Sequence, residues 1–447
     1  MHAEKKATFK AAGRLLLALL MLTILTAAVF LTGCDSDKPA PDDSEATDSE
    51  TPPATDPETE PETDPSAAGT DSETDPETDP PVSETEPETE PAESETEPET
   101  DPPAAETEPE ITPKDEPTAA IRDDSMDGKY INPLTGLPAD QNTYYKRPVA
   151  IMLNNIKKAN PQIGTSNADV IYECMVEGGI TRLMMLVTNY ENLDVIGSVR
   201  SSREYYLDFA QNHDAIYIHA GGSTQAYKEI YQRSINNICG VNGGAVTAYF
   251  YRDPERRATM GLEHSLMTTG EMITKAIQYK KYRTDKYEGF DSPFDFVSCD
   301  GGENTLEQGG EARHVIITYT SSHYPQYIYN EKTNTYARYQ FKGEAHIDGA
   351  TGETLTFTNV LVIACTHTNT NDSYNHIDVD TVGSGDGYYI YGGKYIKIKW
   401  SKADEDTPIQ LFNEDGTPLQ MNCGKTFVNI VSPAVYSKIQ LNYQKNK

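Results

Sequence analysis

IGSVRSSREYYLDFAQNHDAIYIHAGGS, residues 196–223, is the stretch whose reading decides the fold. Residues 196–200 read as a strand end or loop. Ser201 and Glu204 stand at the S-x-x-E spacing of a capping box, which predicts a helix over roughly 202–212. Tyr206, Phe209 and Ala210 share one side of that helix. AIYIHA, 215–220, reads as a strand. Gly221-Gly222-Ser223 is a tight turn into a second helix, roughly 224–235, with Ser223 or Thr224 at its N-cap. Helix and strand in alternation predict a mixed sheet with helices on its faces.

The chain on either side supports this reading. Upstream, the apolar run after Arg147-Pro148 reads as a buried strand, with proline at its start where no ladder donor is needed. DVIYECMV (169–176) and ITRLMMLVT (180–188) flank Glu177-Gly178-Gly179, which predicts a β-hairpin. A helix over the first run, capped by Ser166 and Asp169, is the second reading. Downstream of about Glu303 the period changes to short strand-like runs. They are separated by turn residues such as Gly392-Gly393 and Glu414-Asp415-Gly416. The expected fold is therefore α+β or mixed α/β, in two parts. Residues 128–290 form an N-terminal mixed sheet with helices, and 291–447 a mostly antiparallel β domain. Residues 277–310 are Tyr- and Lys-rich, weakly patterned, and read as a connector between them.

The formal net charge of −33 is unevenly spread. Most of it lies in 34–127, a Pro/Glu/Thr-rich tract with loose TEPETD and SETEP repeats. Such a composition cannot bury enough apolar surface to offset chain entropy. Fully extended, about 90 residues reach on the order of 200 Å, so the tract reads as a disordered spacer; an acidic brush is the competing reading. Residues 1–33 combine a basic start, an apolar run and small residues before Cys34, the pattern of a signal peptide. Leu31-Thr32-Gly33-Cys34 resembles a bacterial lipobox, which implies cleavage before Cys34 and a lipid such as palmitate on the processed cysteine. The rest of the chain is then extracytoplasmic and tethered to the cell membrane. The acidic balance argues against nucleic acid as a partner.

Five cysteines remain besides Cys34: Cys174, Cys239, Cys299, Cys365 and Cys423. An odd number in no CxxC spacing is neither a disulfide scaffold nor a structural zinc site. One or two bridges and buried free thiols both stay open.

Chemistry concentrates in the opening stretch. Arg200 and Arg203 flank a helix N-terminus, whose backbone N–H groups favour an anion. His219, Gly221, Gly222 and Ser223 form the next strand-to-helix turn. If both loops lie at one edge of the sheet, they converge where α/β sheets bind ligands. Capping, turn formation and internal ion pairing are the structural alternative for the same residues. Glu173, Glu177 and His264 are the acid–base candidates, with a hairpin ion pair to Arg182 as the plainer reading of the glutamates. Arg252, Arg256 and Arg257 could line the same pocket or a solvated loop. Asp372, His376, Asp378, Asp380 and Asp386 offer oxygen ligands, but not at EF-hand spacing, so no metal site is expected. No GxSxG, S-x-x-K, HExxH or P-loop occurs, and no cofactor is called for.

NPLTGLP, RPVAIMLNN, ANPQIGTSNADVIYECMVEGGITRLMMLV, IGSVRSSREYYLDFA and HDAIYIHAGGS together resemble the YerB-like lipoproteins, over roughly 132–431. The resemblance implies a lipid-anchored bacterial envelope protein with paired N- and C-terminal domains and no established reaction. The chain departs from the family pattern at Ser202, usually Ala, at 263–266, usually closer to Pro-His-Asn-Leu, and at Phe427, usually Trp. The second departure weakens a catalytic role for His264. A strand, an Arg-x-x-Arg loop and a Gly-rich turn also resemble, over a few dozen residues, the LytR–CpsA–Psr phosphotransferases. The expectation is a protein that binds an anionic envelope component, such as a cell-wall polymer, or a partner envelope protein. An enzyme acting on envelope polymers is the alternative.

Overall fold

A computed structural model describes residues 117–123 and 129–444. The leader, Cys34 and most of the acidic tract lie outside the described residues. Eleven strands build one sheet. In chain order they are β1 (Val149–Asn155), β2 (Val170–Met175), β3 (Thr181–Val187), β4 (Ile216–His219), β5 (Asn237–Cys239), β6 (Gly310–Glu311), β7 (Asn359–Ala364), β8 (Gly383–Tyr391), β9 (Lys394–Lys402), β10 (Gln410–Asn413) and β11 (Thr426–Val431). Across the sheet the order is β6-β9-β8-β7-β11-β2-β3-β1-β4-β5, with β10 added to β9.

The continuous apolar runs follow from burial on both faces. Along β1, Val149, Ile151 and Leu153 join one core while Ala150 and Met152 join the other. Along β2, Ile171 faces the first core, and Tyr172 and Cys174 face the second. The opening stretch folds much as its pattern predicts. Residues Glu204–Gln211 form helix α1, and Thr224–Gln232 form helix α2. β4, α2 and β5 make a parallel βαβ unit beside β1. Tyr205, Tyr206, Phe209 and Ala210 of α1 pack onto the second core.

One local prediction fails. Ser201 does not cap α1: the N-cap is Arg203, which makes no side-chain cap bond. Ser223 does cap α2, accepting from the Ala226 N–H at 3.1 Å. The hairpin reading of 169–188 holds over its helical alternative. β2 and β3 pair antiparallel, joined through Gly178 and Gly179 at φ +69° and +70°, a region that glycine enters without the Cβ clash.

Strands in the C-terminal half are mostly antiparallel: β7 to β8, β8 to β9, β9 to β10, and a separate small sheet around Thr335–Gln340. β11 differs. It lies between β2 and β7, parallel to both, with Phe427 opposite Ile171 on one side and Val360 on the other. A strand from the chain's end thus joins the two halves in one sheet. Cys299 is disulfide-bonded to Cys423, while Cys174, Cys239 and Cys365 are buried free thiols.

Candidate functional site

The two loops of the opening stretch meet. Ser202 bridges Gly222, the Ser202 N–H donates to the Gly221 carbonyl at 2.9 Å, and the Ala220 N–H donates to the Arg200 carbonyl at 2.9 Å. Gly221 has φ +80°, and a Cβ on Gly222 would sit 3.3 Å from the Ser202 Cβ. Glycine at both positions lets the loops approach. They lie past the end of β4 and alongside the second half of β1: His219 closes β4, the Arg200 N–H donates to the Met152 carbonyl at 3.0 Å, and Val199 bridges Leu153. The two loops therefore run side by side.

The arginines at this edge share few carboxylates. Glu177, at the turn of the β2–β3 hairpin, accepts from Arg203 through both oxygens, the Nε bond being 2.8 Å, and from Arg182 at 3.1 Å. Arg182 also donates to the Ser201 carbonyl at 3.1 Å. Arg200 pairs with Glu263 at 3.3 Å. Burial would raise the Glu177 pKa, but the adjacent Arg182 and Arg203 charges outweigh it and hold the carboxyl down at about 2. Arg182 is drawn down to about 10, by burial first and then by the nearby Arg203 charge; Arg200 adds to this and Glu177 opposes it. Three guanidinium groups thus crowd one another around two carboxylates.

The other predicted residues have identifiable roles. His219 is fully buried; its Nδ1–H donates to the Gly221 carbonyl at 2.7 Å, and burial lowers its pKa. It shapes the glycine turn and does not reach solvent. Ser223 donates to Glu204 at 3.1 Å, whose pKa burial raises. His264 is buried, its Nδ1 accepting from the Asn154 amide at 2.8 Å, which places its neighbour Glu263 beside Arg200. Arg252 and Arg256 hold backbone carbonyls: Arg252 that of Leu262, Arg256 those of Ala159, Pro161 and His264. Asp372 pairs with His376 and Asp386 with Lys399. Among the described residues no group of three His, Cys, Asp or Glu side chains is close enough to hold a metal.

Glu173 belongs to a different constellation, on the opposite face of β2. It is 0% exposed, as is its partner Arg338. Arg338 donates to Glu173 at 2.6 Å, His323 donates to its other oxygen at 2.6 Å, and Thr181 and Asn155 add bonds at 2.7 and 2.9 Å. Arg338 also donates to Gln340 and to His346, which in turn donates to Gln162 at 2.9 Å. Burial alone would raise the Glu173 pKa; the Arg338 charge, then His323, bring it to about 2. Sequence reasoning missed this network. Its members come from separate stretches, and the one available signal is alternation, which puts Tyr336, Arg338 and Gln340 on one buried face.

The fold and this edge define a mixed α/β protein with an arginine-rich loop cluster beside β1 at the end of β4. Glu173 and Glu177, held ionised near 2, are weak bases at neutral pH. The chain belongs to the YerB-like family. Two family models match it, described as "Protein of unknown function (DUF3048) N-terminal domain" over 134–283 and "Protein of unknown function (DUF3048) C-terminal domain" over 315–428. It is 28% identical over 303 residues to the protein named "Putative lipoprotein YerB" of Bacillus subtilis (strain 168), spanning 67% of this chain and 85% of that one. The crystal structure of YerB from Bacillus subtilis superposes with a TM-score of 0.59 at 27% identity, covering 70% of this chain and all of that one.

Proposed function

We propose that this protein is a membrane-anchored, extracytoplasmic lipoprotein that binds an anionic cell-envelope component at the Arg200 edge. The anchor rests on the Cys34 motif and on the lipoprotein description of the YerB relative. The observation that carries the binding reading is the crowding of Arg182, Arg200 and Arg203 around Glu177 and Glu263 where two loops converge. Guanidinium groups suit phosphate and carboxylate through paired N–H donors. Arg182 and Arg203 are buried behind Glu177, so the accessible donor is Arg200, whose side chain is 14% exposed.

The test is calorimetric titration of the protein with purified phosphate-bearing wall polymer. Arg200→Ala should weaken binding about tenfold or more, the scale of a charge-assisted contact. Its thermal stability should stay near that of the parent, because the lost ion pair is partly exposed. Equal affinity in parent and variant would remove Arg200 from the site.

A further inference from the structure

The two carboxylates of the arginine cluster are not equivalent. Glu177 is buried and holds two guanidiniums at once, so it is part of the framework. Glu263 is 42% exposed and touches Arg200 through one contact of 3.3 Å, longer than a charge-assisted bond usually is. It stands on the short turn Leu262–His264. That turn is anchored on either side of the Glu263 side chain. Arg252 holds the Leu262 carbonyl at 2.6 Å, and Arg256 and Asn154 hold His264 at 3.0 and 2.8 Å. The Glu263 side chain can therefore rotate into solvent while the turn stays in place. With a half-exposed carboxylate and a single long contact, the pair contributes little to stability, so giving it up costs little.

We infer that Glu263 is a displaceable internal ligand. Its carboxylate occupies the seat on Arg200 that an external oxyanion takes, and the arriving oxyanion turns Glu263 out to solvent. The ligand class follows from what the seat already holds, a carboxylate oxygen beside a guanidinium N–H. A phosphate ester or a carboxylate both fit, and the phosphate arm is the one to test first. This rests on the binding reading of the Arg200 edge and adds a rule for how that edge is gated. Glu263 competes with the ligand, so binding is weaker than the bare arginine cluster would give, and the cluster is kept from capturing every passing anion.

The experiment titrates inorganic pyrophosphate into the full chain, as the parent, as Glu263→Gln and as Arg200→Ala, at one ionic strength. Glu263→Gln keeps the side-chain volume and removes the competing charge. The expected result is affinity roughly two- to fivefold above the parent for Glu263→Gln, the range an exposed ion pair spans. Arg200→Ala should fall below the parent. If Glu263→Gln binds no more tightly than the parent while Arg200→Ala still loses affinity, the gate is overturned and the Arg200 site survives. If no form binds, both fail. A phosphate-loaded site that leaves a carboxylate polymer unbound assigns the ligand to the phosphate class; the reverse overturns the phosphate arm.

Discussion

Arg203, the N-cap residue of α1, is spent on the framework. Its whole guanidinium is committed to Glu177 and to the Ser202 carbonyl. Arg200, three residues earlier, pairs with the partly exposed Glu263. No local feature of the sequence separates the two roles, because the separation depends on Glu177, which arrives from a different hairpin. The pairing of Glu177 with Arg182 was legible, since both flank one Gly-Gly turn. The Glu173–Arg338 pair was not, being 165 residues apart. That pair makes a sharp residue-scale prediction. Arg338→Ala leaves the Glu173 charge buried with only His323 and neutral donors, so it should cost about 3–5 kcal/mol in denaturant unfolding. A loss under about 1 kcal/mol would mean that water reaches Glu173.

Elements were more legible than residues where period and turn chemistry agreed. The apolar run of β1 and the Gly-Gly turn between β2 and β3 were predicted in kind. So was the strand–helix passage through β4 and α2. The start of α1 was misplaced because S-x-x-E is a spacing, whereas capping needs the serine one turn before a free N–H. The bridge from Ser202 to Gly222 pulls the chain into an extended path, and the helix begins only at Glu204. The two serines therefore differ in a measurable way. Ser223→Ala should cost about 1 kcal/mol, as loss of an N-cap does, while Ser201→Ala should cost only a few tenths. Equal losses on chemical denaturation would restore Ser201 as a cap. The place of β11 between β2 and β7 was also hidden. A continuous apolar run announces a buried strand but not its neighbours.

At the scale of the molecule, the shared sheet links the two halves, and both faces of that sheet carry buried titratable groups. Burial draws His213 from 6.5 down to about 3, and burial with the Arg338 charge holds His346 well below its ordinary value. The unfolded chain takes up protons on these rings below about pH 6.5 that the folded protein refuses, so stability falls as pH falls through that range. Glu173 and Glu177, depressed to about 2, add a second loss of the same sign, starting as pH drops below the ordinary carboxylate range near 4.5. The thermal midpoint should therefore decline steadily from pH 7 to pH 4; a flat profile would show that these groups titrate alike in the folded and unfolded states.

The same sheet holds the Arg200 backbone against β1, with its competitor on an anchored turn. A crystal structure of the protein grown with pyrophosphate reads that arrangement most directly. The predicted result is an oxyanion within hydrogen-bond distance of the Arg200 guanidinium, with Glu263 turned away and the Glu177–Arg182–Arg203 contacts unchanged. An intact Arg200–Glu263 pair, with the anion elsewhere or nowhere, would contradict it.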